Sequence, residues 1–277
     1  VYLGDIRDYE SILEAVKGCD YIFHLASLIA IPYSYKAPKS YVETNVNGTL
    51  NVLNAAKACN VKRFIHTSTS ETYGTAQYVP INENHPLVAQ SPYAATKIGA
   101  DQLALSFWRS FSTPVTVLRP FNTYGPRQSD RAVIPTIISQ IASGKNRISL
   151  GSTTPTRDFN YVTDTCNAFL EVVKSDLSIG KTINVASKFE ISIGETALLI
   201  SRIMDKEIEI YCDEERLRPD NSEVERLYGD NTLIKKITNW NPEFGGLEGF
   251  KKGLKLTIDW FNYSDNLRFY RPNEYNV

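Results

Sequence analysis

The sequence has no long apolar run and no large excess of charge of either sign. No apolar segment approaches the roughly 20 residues that a transmembrane helix needs, so no membrane span is predicted. There are 30 Lys and Arg residues and 31 Asp and Glu residues, which leaves a formal net charge of −1. This balance excludes a general electrostatic attraction to nucleic acid or to an anionic membrane. An anionic ligand must therefore be bound by local arginines.

The sequence also lacks the paired cysteines of a zinc site. Its four cysteines lie far apart, without C-x-x-C spacing: Cys19, Cys59, Cys166 and Cys212. We predict a cytoplasmic protein with reduced, mostly buried thiols. The three histidines form no ligand set, and we predict that no metal takes part.

An initiator methionine is missing as well. The first residues, Val1 to Asp5, have the character of the end of a strand. We therefore expect a piece of a longer protein, and the lack of a signal peptide carries no weight.

Short apolar strands alternate with helical patterns of ten or more residues along the first half of the chain. Strands are predicted at 20–26, 62–67 and 115–118, and helices at 9–18, at 38–56 (beginning with Pro38) and from Tyr93 onward. This alternation predicts an α/β fold with a doubly wound parallel sheet. In such folds, ligands bind beyond the carboxyl ends of the strands.

Polar residues follow the predicted strands at those ends. Ser68, Thr69, Ser70 and Glu71 come after one strand, Ala26 and Ser27 after another, and Arg119 to Asn122 after a third. Because parallel strands end at the same edge of a sheet, we expect these three segments to meet. Beyond about residue 124 the pattern becomes less regular, which indicates a smaller lobe with some later returns to the sheet.

Tyr93 and Lys97 lie one helical turn apart, so a single helix can direct both into one cleft. A second Tyr-x-x-x-Lys match, Tyr35 to Lys39, contains Pro38, which breaks the required helix. Tyrosine ionises near pH 10, and a neighbouring lysine ammonium lowers that pKa. With a hydroxyl to orient an alcohol and a carboxylate able to take a carbon-bound proton, the set predicts redox and elimination chemistry.

These residues belong to a longer series of motifs. Taken together, the motifs resemble the extended short-chain dehydrogenase/reductase family of nucleotide-sugar enzymes. The series is Gly4-Asp5-Ile6-Arg7-Asp8, His24-Leu25-Ala26, Thr44-Asn45-Val46-Asn47-Gly48-Thr49, Ser68 to Gly74, Tyr93-x-x-x-Lys97, Arg119-Pro-Phe-Asn-Thr-Tyr-Gly-Pro-Arg127 and Arg157-Asp158-Phe159.

Two further segments, Gln128 to Pro135 and Arg218 to Val224, most resemble the NAD-dependent 4,6-dehydratases of the LegB type. Those enzymes act on nucleotide-activated N-acetylglucosamine. The resemblance implies a UDP- or GDP-linked substrate of that kind, a surface-glycan pathway, and a 4-keto-6-deoxy product.

The resemblance also implies roles for individual residues. Tyr93 removes the proton from the sugar 4-hydroxyl, which Thr69 also contacts, and Glu71 removes the proton from C5. Ser70 stands where some relatives carry Asp, so Glu71 is expected to act as both base and acid. Residues expected to contact NAD are Asp5, Ile6, Leu25, Ala26, Ser27, Thr44, Ser68, Tyr93, Lys97 and Phe121. Residues expected to contact the substrate are Asn122, Arg157 and Arg218.

One motif of the family has no counterpart. The glycine-rich loop G-x-x-G-x-x-G is missing, and Gly245-Gly246-x-x-Gly249 follows no predicted strand, so we interpret it as a turn into a helix. We expect the first βαβ unit to be missing and this piece to be inactive, with weak NAD binding or none. Residues 1–124 are predicted to form a partial NAD-binding Rossmann domain, and residues 125–277 mainly a substrate-binding lobe.

Other functions remain open at this point. A nucleotide-sugar 4-epimerase needs Tyr93, Lys97 and Thr69 but no base for C5, whereas a UDP-glucuronate decarboxylase can share the Ser-Thr-Ser-Glu block. A catalytically silent scaffold or NAD-sensing protein is a third alternative. The resemblance also implies a homodimer through the helices near 38–59 and 93–111.

Overall fold

Nine strands and eleven α-helices are present in the computed structural model, which describes residues 1–268 and 270. The strands are β1 (Tyr21–His24), β2 (Arg63–Thr67), β3 (Val115–Pro120), β4 (Asn122–Tyr124), β5 (Arg147–Leu150), β6 (Thr156–Tyr161), β7 (Thr182–Val185), β8 (Glu190–Ser192) and β9 (Glu209–Cys212). The helices are α1 (Tyr9–Val16), α2 (Ile31–Lys36), α3 (Pro38–Tyr41), α4 (Gly48–Ala58), α5 (Pro92–Phe111), α6 (Val133–Ala142), α7 (Val162–Lys174), α8 (Ile193–Ile203), α9 (Thr232–Ile237), α10 (Gly246–Phe261) and α11 (Ser264–Leu267).

The main sheet has four parallel strands in the order β1-β2-β3-β7. In its register His24 pairs with His66, Thr67 with Leu118, and Pro120 with Val185. The carboxyl ends of all four strands therefore lie at one edge. The predicted parallel sheet and the predicted meeting of three segments at its rim are confirmed.

Alternate residues of the central strands face opposite layers of helices, as the period of two of a β-strand requires. Phe64 and Val117 pack in a buried cluster with residues of α4 and α5. Ile65 and Leu118 pack on the opposite face with residues of α7 and α9. The sheet is thus covered on both sides, and the predicted doubly wound α/β fold is confirmed.

A second group of elements has its own apolar core. Tyr124, Ile138, Phe159, Ile200 and Phe250 belong to one buried cluster built from β4, β5, β6, α6, α8 and α10. Two small sheets, β4-β6-β8 and β5-β9, accompany it. Strand β7, which lies between β6 and β8 in the sequence, returns to the main sheet and pairs with β3. The predicted boundary between residues 124 and 125 stays a prediction. Residue 269 and residues 271–277 of the predicted second lobe lie outside the described residues.

Two local predictions were wrong. The single helix predicted from Pro38 is divided by a π-helical segment, Val42–Asn47, between α3 and α4. The thiols are not mostly buried, since Cys19, Cys166 and Cys212 are exposed and Cys59 is half-buried.

The predicted turn into a helix at the glycine cluster is confirmed, because α10 begins at Gly246. No helix in the described residues is both long and apolar enough to cross a bilayer.

Candidate active site

Helix α5 carries Tyr93 and Lys97 into the interior. Ser91 caps its first turn by accepting a hydrogen bond from the Ala94 N–H at 3.1 Å, and Pro92 occupies the first helical position. Tyr93 is 7% exposed and Lys97 is 4% exposed. The predicted helix start is therefore confirmed, and both side chains are held in surroundings that contain little water.

A short 3₁₀ turn after β2, Ser70–Tyr73, positions the hydroxyl and the carboxylate. The Thr69 hydroxyl accepts a hydrogen bond from the Glu71 N–H at 3.2 Å, which caps this turn. Thr69 also hydrogen-bonds with the Tyr93 side chain, and Glu71 is near enough to Tyr93 to act on its pKa. Glu71 is 7% exposed. Thr69, Glu71 and Tyr93 thus share one region, and Ser70 is buried beside them.

The pKa of Tyr93 does not move in the direction expected from the sequence. Burial raises it, the hydrogen bond from Thr69 lowers it by less, and the charge of Glu71 raises it further. The Lys97 ammonium donates instead to the Thr67 carbonyl at 2.6 Å. Burial lowers the pKa of Lys97 to about 8, against the opposing charge of Asp101.

Asp101 is a buried carboxylate that the sequence reasoning missed. It accepts hydrogen bonds from Ser68 Oγ at 2.7 Å and from Arg119 Nη2 at 2.8 Å, and His66 Nε2 lies 3.2 Å away. Burial raises its pKa, but His66 and the charge of Arg119 outweigh this and lower it. The available signal was its position one turn after Lys97. The Ser68 hydroxyl, which was predicted to contact NAD, therefore donates its hydrogen bond to Asp101 within the protein.

The three predicted substrate residues line one cavity of about 280 Å³. Asn122, Arg157 and Arg218 lie on its wall together with Arg131 and Glu223. The Asn122 Oδ1 atom is buried and has no hydrogen-bond partner among the described residues, so it can accept one from a ligand. The structure therefore brings these residues together although they are far apart in sequence.

Glu223 is a second residue that the sequence reasoning missed. Its carboxylate lies 3.2 Å from Arg157 Nη2 and 3.4 Å from Arg218 Nη1. Arg218 Nη1 is also 4.0 Å from Glu71 Oε2. Glu223 lies in the segment from Arg218 to Val224, whose resemblance to the LegB type was the available signal. These ion pairs join the cavity to the candidate catalytic carboxylate.

The predicted cofactor residues are less uniform in their placement. Leu25 and Ala26 are exposed and Ser27 is half-buried after the end of β1, and Thr44 is half-buried on the π-helical segment. Asp5 is exposed and its carboxylate accepts a hydrogen bond from the Arg7 side chain at 3.0 Å.

Two other predicted cofactor residues have side chains packed inside the protein. The Ile6 side chain packs against Gly48. The Phe121 ring is 1% exposed and packs in a cluster with Tyr73, so only its backbone can meet a cofactor.

The donor groups of Lys97 suit the hydroxyl groups of a ribose, at the end of β2. An ammonium group has three N–H donors, and in the described part of the chain Lys97 uses one of them, toward Thr67. Two donors are therefore left for hydroxyl groups of a ligand. A glycine-rich loop between a strand and a helix, suited to a pyrophosphate, is not found in residues 1–268 and 270.

Comparison with known proteins places these features in context. The chain matches the family described as GDP-mannose 4,6 dehydratase over residues 1–253. The low-salt glycan biosynthesis protein Agl12 of Haloferax volcanii is 32% identical over 259 residues, covering 93% of this chain and 80% of that protein. DesIV, the dTDP-glucose 4,6-dehydratase of Streptomyces venezuelae, was solved with NAD and TYD bound. It matches with a TM-score of 0.86 and 26% identity, over 97% of this chain and 80% of that one.

A UDP-N-acetylglucosamine 4-epimerase from Methanobrevibacter ruminantium, solved in complex with UDP-N-acetylmuramic acid, matches with a TM-score of 0.83. The sequence identity is 30%, and the match covers 93% of this chain and 81% of that one.

Proposed function

The chain belongs to the GDP-mannose 4,6-dehydratase-like part of the extended short-chain dehydrogenase/reductase family, and from this premise we propose that it is an NAD-dependent nucleotide-sugar 4,6-dehydratase. The observation that carries the proposal is the convergence of Thr69, Glu71 and Tyr93 at one sheet edge, beside the buried Lys97. An epimerase has no need of the carboxylate. A dehydratase needs it to remove the proton from C5.

In the proposed cycle each residue of the chain has one task. NAD supplies a hydride acceptor for C4 and later a hydride donor for C6. Tyr93 takes the proton of the 4-hydroxyl, and Thr69 holds the same oxygen. Glu71 takes the proton from C5, which the neighbouring 4-keto group makes acidic, and returns it to the departing 6-hydroxyl, which leaves as water. C5 takes up a proton as hydride is returned to C6, and this balances the proton that Tyr93 removed from the 4-hydroxyl. Ser70 stands at the position of an acid in some relatives, and with serine there Glu71 serves as both base and acid.

Tyr93 can accept a proton only as a phenolate, and the buried surroundings disfavour that charged form unless a positive charge is close. Burial raises the pKa of Tyr93, so the phenolate needs a cation beside it. Lys97 is on the same face of α5, and burial lowers its pKa to about 8, so it carries an ammonium at lower pH. Its remaining N–H groups are suited to the ribose of NAD, with Leu25, Ala26, Ser27 and Thr44 along the same edge.

We further propose a UDP- or GDP-linked N-acetylglucosamine as the substrate. The segments Gln128 to Pro135 and Arg218 to Val224 support this choice through their resemblance to the LegB type, and both contribute to the cavity wall. Arg157 and Arg218 supply planar guanidinium groups that suit a diphosphate. A cytoplasmic location is supported by the four unpaired cysteines, because reduced thiols persist there.

Product mass tests the proposal. The purified protein, with NAD in excess, is incubated separately with UDP-N-acetylglucosamine, GDP-N-acetylglucosamine, dTDP-glucose and UDP-glucuronate. Loss of water from a hexose substrate, at an NAD concentration high enough to fill a weak site, is the result that supports the proposal. An unchanged mass with inversion at C4 would make the protein an epimerase, and loss of CO₂ from the glucuronate would make it a decarboxylase.

NAD affinity is a separate measurement. Because the described residues contain no glycine-rich cradle for the pyrophosphate, we expect weak binding by this chain. Calorimetric titration should give an affinity no better than the high micromolar range, and a low micromolar dissociation constant would contradict this expectation.

A further inference from the structure

Two arginines of the cavity share a single carboxylate. Glu223 lies 3.2 Å from Arg157 and 3.4 Å from Arg218, and the three side chains are 15%, 6% and 24% exposed respectively. Charges this well shielded from water interact more strongly than a surface ion pair. Glu223 therefore influences how both guanidinium groups meet a ligand.

The contacts of the two arginines differ in kind. Arg157 Nη1 donates to the Val224 carbonyl at 2.7 Å and to the Thr156 carbonyl at 2.9 Å, so backbone contacts fix it. Arg218 Nη1 lies between two carboxylates, with Glu223 at 3.4 Å and Glu71 at 4.0 Å. Glu223 and Glu71 thus both attract Arg218 from within the cavity, and Glu223 is the nearer of the two.

The charges of this cluster cancel. Arg157 and Arg218 contribute two positive charges, and Glu71 and Glu223 contribute two negative ones. Burial lowers the pKa of Arg157, and the charges of Glu71 and Glu223 oppose that effect. A diphosphate that enters the cavity must compete with Glu223 for both arginines. Without Glu223, these four side chains would carry a net positive charge, and Glu71 would still attract Arg218.

We propose that Glu223 is a positioning residue that holds Arg218 away from Glu71 and restrains the two arginines from binding diphosphates too tightly. The inference rests on the proposed function, since it assigns the diphosphate of the substrate to these arginines. Glu223 touches neither reacting carbon in this scheme. It keeps Glu71 available as proton acceptor and keeps the nucleoside diphosphate portion of the product able to leave.

Glu223→Gln tests this, because it removes the charge and keeps the shape. Titration with UDP, GDP and inorganic pyrophosphate should give affinities roughly tenfold tighter than those of the unsubstituted protein. Turnover should show a lower KM, because the arginines no longer share their charge with Glu223 and bind the diphosphate more tightly. The kcat should fall as well, because Arg218 draws closer to Glu71 and the product leaves more slowly. A residue that merely supports the fold would do the opposite, since loose arginines bind diphosphate more weakly. Unchanged or weaker affinity would overturn the proposal.

Matched variants separate the possible causes. Glu190→Gln removes a glutamate that pairs with Arg226 at 2.7 Å outside the cavity lining, and it should change neither affinity nor KM. Glu223→Asp keeps the charge and should stay within about twofold of the original affinity. Should Glu223→Gln fail to fold, Glu223→Ala removes the same charge and gives the same reading. If pyrophosphate affinity rises as expected but no nucleotide sugar is converted, the arginine assignment holds and the proposed function fails.

Discussion

Thr69 illustrates how one side chain at this site serves both the backbone and the chemistry. Its hydroxyl accepts a hydrogen bond from the Glu71 N–H and also interacts with Tyr93. The turn that places Glu71 is therefore built by the same group that orients the tyrosine. Spacing predicted that Tyr93 and Lys97 share one helix face, and the family resemblance implied that they meet Thr69 and Glu71.

Glu71→Gln should separate oxidation from elimination. Oxidation at C4 uses Tyr93, Lys97 and Thr69, whereas removal of the C5 proton needs the carboxylate. We expect formation of the 4-keto-6-deoxy product to fall about 100- to 10,000-fold. Absorbance of NADH should still appear when nucleotide sugar is added. Glu83→Gln is the control, because Glu83 is a partly buried carboxylate bound to the Asn184 N–H at 2.9 Å. Equal loss of both steps in Glu71→Gln would contradict the assignment.

Lys97 should lower the stability of the fold at neutral pH. Burial lowers its pKa from 10.5 to about 8, and each unit corresponds to about 1.4 kcal/mol. The cost of the buried ammonium is present in full below pH 8. It shrinks as pH rises from 8 to 10.5, because the folded amine is then neutral while the unfolded amine is still protonated.

Lys97→Met should therefore raise the free energy of unfolding at pH 7 by about 1 to 3 kcal/mol while abolishing activity. Urea unfolding at pH 7 and pH 10 measures the difference, which should shrink at the higher pH. Lys236→Met, at an exposed position of α9, should show no such pH dependence. A Lys97→Met protein less stable than the original at pH 7 would refute the argument.

At the scale of elements, the π-helical segment Val42–Asn47 connects the end of β1 to the catalytic helix. The Asn45 side chain accepts from the Leu28 N–H at 2.8 Å and donates to the Leu28 carbonyl at 2.9 Å. It also donates to Thr96 Oγ1 on α5 at 3.1 Å. One buried amide thus fixes the segment after β1 relative to the helix that carries Tyr93 and Lys97.

Asn45→Ala should therefore weaken cofactor binding as well as stability. The change leaves the partly buried N–H and C=O of Leu28 without that partner, which costs about 1 to 3 kcal/mol. The KM for NAD should rise more than the KM for the nucleotide sugar. Asn231→Ala is the comparison, because Asn231 is buried and donates to the Ala186 carbonyl away from this segment. If both variants changed the two KM values equally, Asn45 would have no particular link to the cofactor.

The same elements mark the limit of what the sequence predicts. Hydrophobic spacing located α5 and the three strands β1, β2 and β3, because their periods differ clearly. Six residues are too few to distinguish a π-helical turn from an α-helical one, so the division after Tyr41 was missed. Asp101 and Glu223 were missed for another reason. Their partners, such as Arg119 and Arg157, come from other elements, and only the folded chain brings them near.

At the scale of the whole molecule, one face of the main sheet is covered by helices whose outer surface is partly apolar. The outer positions include Val42, which is 46% exposed, and Ala95 and Ile98 on α5. Helix α5 packs beside α4 and the π-helical segment, and Gly99 lies close to Val46. Two such pairs of helices could form a four-helix interface between copies of the chain, and we propose a homodimer of that kind.

Ile98→Arg should dissociate this dimer. Ile98 is half-buried and is not part of the apolar clusters found in the described residues, so the change should cost little stability in the monomer. At an interface related by two-fold symmetry it would place two like charges in contact, because each copy contributes the same patch. Sedimentation equilibrium should show a dimer for the original protein and a monomer for the variant. Leu170→Arg on α7 is the matched control, since Leu170 is 50% exposed on the opposite side of the sheet and should leave the dimer intact. A monomeric original protein, or dissociation by both changes, would remove these helices as the interface.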